Sequence, residues 1–443
     1  MSNMNKILDK RLWVKHAFVD GRIQDDVLLS IDSANNWALI APNSPQSKIT
    51  QDTNLQLLDG LVLPGVVNAH SHAFQRAILG QTERASSGEQ SNFWTWRNAM
   101  YDMALRVSPD DVYAIAKQLY TELLAGGFTH VCEFHYLHND INGKSYANPL
   151  AMSLALVQAA QDVDEGRGIG LTLLPTLYMQ AGFSEAPLGH DQRRFASTPQ
   201  SVLHIAQAIN ALKLPKINAG VALHSLRAVG ASALQEIAQE SKNQNYPVHI
   251  HISEQMAEVE SCKRLHKRTP IEYLQELTQL DSRWNLVHAT HATKTELEAL
   301  VQTKSSIVLC PNTEANLGDG IFDADTWLSQ KGSWSIGTDS HVSRSLFDEL
   351  KLLEYCQRLK LQERNVFAKI KTLDDTQTST GAALLQGALA GGAAATGLKL
   401  GTIKIGNRAD YRVIDTSIFE HESKFLDVKK AHWLDALVFG GLS

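Results

Sequence analysis

Histidine side chains occur in the sequence at a spacing that suits the binding of a metal ion. His70 and His72 stand two residues apart at the end of an apolar segment. Because side chains alternate along a β-strand, both imidazoles should point to the same side. Neutral imidazole is a good ligand for Zn²⁺ and similar ions. An HxH pair also occurs on strands for other reasons, so it predicts a metal site only together with further ligands.

Further candidate ligands follow other apolar segments. His251 and Glu254 form an H-x-x-E pattern, in which His251 would be the third ligand and Glu254 could reach a metal-bound water. His249 shares the strand face of His251 and is either a supporting partner or the true ligand; we favour His251 because it lies nearer the strand end. His288 could bind the metal or polarise a leaving group. Asp339, within the letters GTDSH, could bind metal and also accept a proton.

The order of these residues is more informative than any one of them. A polar strand end or a turn would explain each residue separately, but the order HxH, HxxE, H and D is hard to obtain by chance. Three nitrogens, one carboxylate oxygen and an open position are typical of a catalytic zinc site. The expected chemistry is attack by a metal-activated water on a carbonyl-like or amidine-like carbon.

The elements that carry these residues predict an α/β fold. Eight apolar, β-branched runs, most of them separated by helical patterns, indicate a parallel sheet. Each run becomes polar at its C-terminal end, as on the active-site face of a (β/α)₈ TIM-like barrel, whereas a doubly wound sheet would use two or three strands. The runs cover residues 61–72, 129–136, 169–179, 219–227, 246–254, 285–291, 306–312 and 334–341.

Two helices are also marked in the sequence. One is predicted to begin after Ser108 as N-cap, with Pro109 in its first turn, and to stop at the Gly126-Gly127 pair. The other covers the Ala- and Gly-rich segment from Ala382 to Leu398. Its composition favours a closely packed buried helix over a membrane span.

The two ends of the chain differ from this middle part. Short apolar runs with turn signals such as Asp20-Gly21 predict antiparallel strands in the first sixty residues, and GTIKIGNRADYRVIDT and DALVFGG have the same texture. We therefore expect a small β-sandwich domain built from residues 1–60 plus 400–443, and a barrel over residues 61–399.

Composition excludes several classes of protein. The 443 residues include 41 Lys+Arg and 47 Asp+Glu, a net charge of −6 without a basic stripe, so nucleic acid is not an expected partner. The four cysteines form no CxxC pair, which argues against a disulfide framework and a thiolate zinc site. Without a signal-peptide core or a membrane span, we expect a cytoplasmic protein.

Seven segments resemble the amidohydrolase superfamily, and within it the formimidoylglutamate deiminases of its one-metal deaminase branch. HxH and HxxE are shared across the superfamily, whereas HSHAFQRA, FWTWR and HSLRAV are more specific. The likeness extends from about residue 10 to about residue 440. The segments are HSHAFQRA (70–77), FWTWR (93–97), EFHY (133–136), HSLRAV (224–229), HISEQ (251–255), CPNTEANLGDGIF (310–322) and GTDSHVSRS (337–345).

The resemblance implies hydrolysis of N-formimidoyl-L-glutamate to N-formyl-L-glutamate and ammonia. It also implies one divalent metal ion, with Zn²⁺ as the expected metal, and a homodimer. The matching metal ligands are His70, His72, His251 and Asp339. The matching catalytic residues are Glu254, His288 and Asp339. The matching substrate contacts are Gln75, Arg97, Tyr136, His224 and Arg227.

The residue chemistry agrees with a dicarboxylate substrate. A net-negative protein needs local cations to bind it, and Arg97 and Arg227 could supply two bidentate forks, although either could be an ordinary surface arginine. Tyr136 could donate a hydrogen bond or simply pack at the barrel rim. Trp94 and Trp96 could form a lid or an aromatic cluster.

Two other functions remain open. A related one-metal enzyme could deaminate a purine, a pyrimidine or a guanidine-like compound, which would call for stacking side chains instead of two cationic anchors. A barrel that has lost catalysis could serve as a scaffold. The intact set of histidines and carboxylates argues against the scaffold.

Overall fold

Two sheets organise the chain in this computed structural model, which describes residues 10–46, 55–84, 93–369, 378–420 and 426–441. The strands are β1 Lys10–Val19, β2 Arg22–Ile31, β3 Trp37–Ala41, β4 Leu55–Pro64, β5 Val66–Ser71, β6 Phe128–His135, β7 Gly170–Leu177, β8 Ile217–Ala219, β9 Val221–Ser225, β10 Val248–Ile252, β11 Trp284–His288, β12 Ser306–Leu309, β13 Ser333–Ile336 and β14 Tyr411–Ile414.

The α-helices lie mostly between the barrel strands in sequence. They are α1 Phe93–Ala104, α2 Pro109–Ala125, α3 Ala151–Asp162, α4 Pro199–Ala211, α5 Ala231–Gln244, α6 Met256–His266, α7 Pro270–Leu277, α8 Lys294–Thr303, α9 Pro311–Leu317, α10 Ala324–Ser329, α11 Leu346–Leu361, α12 Thr380–Thr396 and α13 Trp433–Phe439.

The larger sheet is the predicted parallel barrel. Its strands follow the order β5-β6-β7-β9-β10-β11-β12-β13, and the short β8 pairs with β7. The barrel closes at the C-terminal ends of its first and last strands, β5 and β13. There the backbone N–H groups of Thr338 and Asp339 donate to the carbonyl oxygen of His70 at 3.2 and 3.0 Å. The barrel prediction is therefore confirmed. The closing contact also ties two of the candidate ligands together through their backbones.

The smaller sheet joins both ends of the chain, as predicted. Its order is β14-β4-β1-β2-β3, so the C-terminal strand pairs with β4 from the N-terminal part. Asp20 and Gly21 turn the chain between β1 and β2 with φ values of 49° and 81°. The described residues of this domain form one five-stranded sheet. Strand β4 extends to Pro64, beyond the predicted domain limit at residue 60.

The C-terminal segment differs from the sequence-based expectation. The letters DALVFGG, predicted as a strand, lie mainly in helix α13, which packs against α11 and α12 and is not a strand of the small sheet. Trp433, Leu434, Leu437 and Val438 are its buried residues. Their spacing places them on one face of a helix, and a short apolar run does not by itself distinguish a helix from a strand.

Both helices marked in the sequence are present. Ser108 caps α2, accepting a hydrogen bond from the N–H of Asp111 at 3.1 Å, and the carboxylate of Asp111 accepts the N–H of Ser108 at 2.9 Å. Helix α12 packs closely on the barrel: a Cβ atom added to Gly391 would lie 1.8 Å from the carbonyl oxygen of Trp334. Within the described ranges, no helix is long and apolar enough to cross a membrane.

Candidate active site

The C-terminal ends of the barrel strands bring the candidate metal ligands together. His70 lies in β5 and His72 directly follows it, His251 lies in β10, and Asp339 comes three residues after β13. All four side chains are buried. In a parallel barrel these strand ends share one rim, which is why residues so distant in sequence converge there.

The four ligand groups face one another at short distances. The Nε2 atom of His251 is 3.0 Å from Nε2 of His70 and 3.3 Å from Nε2 of His72. The Oδ1 atom of Asp339 is 3.5 Å from Nε2 of His70 and 3.4 Å from Nε2 of His72. Three nitrogens and one carboxylate oxygen therefore surround a common point.

This donor set fits a cation. The Nδ1 atom of His72 donates to the carbonyl oxygen of Phe134 at 2.9 Å, and that of His251 donates to the carbonyl oxygen of His224 at 2.8 Å. In a neutral imidazole, the other nitrogen then carries a lone pair and no proton. Burial lowers the pKa of His72 and His251, which favours this neutral form. Facing lone pairs repel each other unless a positive ion lies between them.

The proposed catalytic pair stands beside this group. Nε2 of His288 lies 3.8 Å from Oε1 of Glu254 and 3.7 Å from Oδ2 of Asp339. Burial alone lowers the pKa of His288, but Glu254 and Glu314 outweigh it and raise the pKa to about 10. Burial also raises the pKa of Glu254, although His288 opposes that shift. The arrangement can therefore hold and transfer protons next to the ligand cluster.

Glu314 orients His288, and sequence reasoning gave it no role. Its Oε1 atom lies 3.2 Å from Nδ1 of His288 and accepts the backbone N–H of Cys310 at 2.9 Å. Because Nδ1–H donates to Glu314, the other ring nitrogen, Nε2, faces Asp339 and Glu254. Glu314 lies within the quoted segment CPNTEANLGDGIF, but its contact with a residue 26 positions away leaves no local pattern.

One cavity above these groups contains every predicted substrate-binding residue. Nε2 of Gln75 donates to the hydroxyl oxygen of Tyr136 at 3.0 Å. The Arg97 guanidinium lies 5.3 Å from the centre of the Tyr101 ring. The lining residues also include two aromatic side chains that the sequence did not single out, Tyr101 and Tyr178. The full lining is His72, Gln75, Trp96, Arg97, Met100, Tyr101, Tyr136, Tyr178, His224, Arg227, His251, Glu254, His288, Leu317 and Asp339.

Glu258 is a second carboxylate that sequence reasoning missed. Its Oε1 atom lies 3.9 Å from Nε of Arg227, and its Oε2 atom accepts the backbone N–H of Glu254 at 3.2 Å. Burial raises the pKa of Glu258 to about 7, while Arg227 opposes the shift. Glu258 stands four residues after Glu254, in the first turn of α6. Glu258 thus contacts both Arg227, a candidate substrate anchor, and the backbone of Glu254, a candidate proton carrier.

Position bears on two alternatives that the sequence left open. Nε2 of His249 donates to the carbonyl oxygen of Ala395 in α12 at 2.8 Å, so this nitrogen is engaged outside the ligand cluster, and His249 is in none of the candidate metal-binding groups of the described residues. Trp96 is half-buried in α1 and lines the cavity. The side chain of Trp94 lies outside the described part of the chain.

Comparison with known sequences identifies similar proteins over most of the chain. The model of the amidohydrolase family matches residues 61–442. Formimidoylglutamate deiminase from Pseudomonas aeruginosa is 44% identical over 380 residues, which cover 85% of this chain and 82% of that protein. A 5-methylthioadenosine/S-adenosylhomocysteine deaminase from Haloarcula marismortui is 24% identical over 393 residues, covering 88% and 80% of the two chains.

Solved structures agree with the fold. An amidohydrolase from Brucella melitensis superimposes with a TM-score of 0.86 at 34% identity, covering 98% of this chain and 91% of that chain. An adenosine deaminase from Xanthomonas campestris with bound zinc gives a TM-score of 0.74 at 19% identity, covering 97% and 88%. At that low identity the second likeness concerns the fold alone.

Proposed function

The chain belongs to the amidohydrolase family, and from that membership we propose that it hydrolyses N-formimidoyl-L-glutamate to N-formyl-L-glutamate and ammonia. The observation that carries the proposal is one cavity whose wall contains part of the candidate ligand cluster together with two arginines. These residues are His72, His251, Asp339, Arg97 and Arg227. Such a cavity presents a hydrolytic centre to one end of a molecule and cations to the other. The same proposal places the reaction in histidine degradation in the cytoplasm.

We assign one Zn²⁺ ion to His70, His72, His251 and Asp339. The converging Nε2 atoms and the buried carboxylate support this assignment, because together they form a donor set that suits a cation. When bound, the ion would lower the pKa of a water molecule toward about 7 and so supply a nucleophile at neutral pH. The zinc bound by the adenosine deaminase of the same fold is consistent with this choice.

Three ionisable side chains would move the protons of the reaction. Asp339 and His288, whose Oδ2 and Nε2 atoms are 3.7 Å apart, would accept and hold a proton from the attacking water. As the water oxygen bonds to the formimidoyl carbon, that carbon becomes tetrahedral. Glu254 would then deliver a proton to the terminal nitrogen, the C–N bond to that nitrogen would break, and ammonia would leave.

The other end of the cavity would hold the glutamate part of the substrate. Arg97 and Arg227 would bind its two carboxylates through charge-assisted hydrogen bonds. Gln75, Tyr136 and His224 would contact the chain between the carboxylates and the formimidoyl group. Their common position in the cavity wall supports these roles.

A second candidate is deamination of a purine-like base. The cavity wall contains Trp96, Tyr101, Tyr136 and Tyr178, which could stack on an aromatic ring. The two arginines favour the dicarboxylate instead, because guanidinium groups bind carboxylates through charge-assisted hydrogen bonds. A catalytically inactive scaffold is the least favoured function, since it would not need this ligand cluster.

Ammonia release by the purified protein tests the proposed function. We expect turnover of N-formimidoyl-L-glutamate by zinc-loaded protein, loss of turnover after chelation and recovery on adding Zn²⁺. Formimidoylglycine, which lacks one carboxylate, should react more slowly, and adenine, guanine, cytosine and 5-methylthioadenosine should not react. Preferred turnover of any base would contradict the proposal, and ammonia release that survives complete chelation would contradict the metal assignment.

A further inference from the structure

A chain of buried polar side chains connects the two segments that carry three of the proposed metal ligands. One segment is residues 70–73 at the end of β5, and the other is residues 338–341 after β13. The six side chains of this hydrogen-bonded series are each at most 2% exposed. Its members are Asn68, Thr338, His341, Ser71, Glu133 and Tyr120.

Glu133, on barrel strand β6, holds both neighbours of His72. Its Oε1 atom accepts the backbone N–H of Ala73 at 2.6 Å. Its Oε2 atom accepts the hydroxyl of Ser71 at 2.6 Å and the hydroxyl of Tyr120 at 3.3 Å. Because Ser71 lies between His70 and His72, this carboxylate fixes the backbone from which both imidazoles project.

The hydrogen bonds of the chain all run in one direction. Nδ2 of Asn68 donates to Oγ1 of Thr338 at 2.7 Å, and the amide oxygen of Asn68 already accepts the N–H of Thr338 at 2.9 Å. The Thr338 hydroxyl therefore donates to Nδ1 of His341, at 2.9 Å. A neutral imidazole then has its N–H at Nε2, which donates to Oγ of Ser71 at 3.3 Å. The Ser71 hydroxyl must therefore donate its own hydrogen bond to Glu133, which accepts it.

We propose that Glu133 is a positioning residue for the metal ion: as the last acceptor of this chain, it holds His70 and His72 in register with Asp339. The inference rests on the proposed metal site. Asp339 directly follows Thr338, so the chain links the two halves of the ligand set across the closing contact of the barrel.

A glutamine at position 133 would conflict with that direction. Its NH₂ group would face either the N–H of Ala73 or the hydroxyl of Ser71. If the Ser71 hydroxyl donated to His341 instead of to position 133, His341 would need the opposite tautomer. The hydroxyl of Thr338 would then have to donate in the opposite direction. Asn68 could not accept from that hydroxyl, because turning its amide would place the NH₂ group against the N–H of Thr338. The mismatch would therefore reach the backbone on both sides of the ligand cluster.

The test measures Zn²⁺ affinity of folded, metal-free protein by chelator competition, together with the visible absorption spectrum of the Co²⁺-loaded protein. Glu133→Gln is expected to weaken zinc binding roughly 10–100-fold, the usual effect of losing a group that supports a ligand. It should also alter the Co²⁺ spectrum, which reports ligand geometry. Ser71→Ala should change both readouts in the same direction and carries the test if Glu133→Gln does not fold.

Glu354→Gln is the matched control. Glu354 is fully buried on α11 and accepts the backbone N–H groups of Val366 and Phe367 at 2.9 and 3.0 Å. Its loss should lower the melting temperature but leave zinc affinity and the Co²⁺ spectrum unchanged. Wild-type zinc affinity and spectrum in both Glu133→Gln and Ser71→Ala would overturn the inference, whatever happens to their melting temperatures.

The proposed function is tested separately by the wild-type protein. Zinc binding without ammonia release from N-formimidoyl-L-glutamate would reject the proposed substrate and leave the role of Glu133 to its own variants. If the wild-type protein bound no zinc, the metal assignment and the role of Glu133 would both be wrong.

Discussion

Replacing Glu254 with glutamine is expected to lower kcat roughly 10²–10⁴-fold, the usual contribution of a positioned proton-transfer group, while the protein keeps its metal. The carboxyl oxygen lies 3.8 Å from Nε2 of His288, beside the cluster formed by the four proposed ligands. Burial raises its pKa, which suits a group that must carry a proton at neutral pH. Glutamine keeps the size of the side chain but cannot donate and regain a proton in this way.

Steady-state ammonia release and metal content per chain, measured on the same preparation, check this result. Glu260→Gln is a matched control, because Glu260 is an exposed carboxylate six residues later on α6. It should retain normal turnover. Full activity of Glu254→Gln would remove Glu254 from the mechanism, and loss of bound zinc would make it a ligand instead.

Replacing Arg227 with methionine should reduce kcat/KM for N-formimidoyl-L-glutamate by at least roughly 30-fold, which corresponds to about 2 kcal/mol. The Arg227 side chain is only 19% exposed, and the buried Glu258 lies beside it. Without the guanidinium, a substrate carboxylate would have to enter the cavity unpaired and next to another carboxylate. Arg227→Lys should recover only part of the loss, because an ammonium cannot form the two-pronged contact.

The comparison of two substrates separates anchoring from folding. An N-alkylformamidine has the reacting group but no carboxylate, so its kcat/KM should change little in Arg227→Met. Arg264→Met is the arginine control, because Arg264 is an exposed cation on α6 that does not line the catalytic cavity. Equal losses on both substrates would show that Arg227 supports the structure and does not anchor a carboxylate.

The barrel could be predicted because its signal is repeated along the chain. Eight apolar runs with polar C-terminal ends fit a closed parallel sheet, and such a sheet gathers those ends on one rim. This is why His70 and Asp339, at opposite ends of the barrel sequence, could be expected near one another. The period of two along β10 could not decide between His249 and His251, since both lie on one face. Only the contact of His249 with the end of α12 separates them.

The supporting carboxylates could not be found in the same way. Glu133, Glu258 and Glu314 each act through contacts with residues on other elements, and no local spacing marks them as different from surface glutamates. Glu133 contacts Ser71, which lies 62 positions earlier in the sequence, and Glu314 contacts His288, which lies 26 positions earlier. Their burial depends on packing, which sequence periodicity alone does not specify. The same holds for α13, whose short apolar run fits either a helix or a strand.

Diffraction data collected at the zinc absorption edge from zinc-loaded crystals would show whether one ion joins the four proposed ligands. We predict a single anomalous peak per chain, at about 2.0–2.2 Å from Nε2 of His70, His72 and His251 and from a carboxylate oxygen of Asp339. A peak that these side chains do not share, or a zinc ion held instead by His288, Cys310 and Glu314, would contradict the assignment.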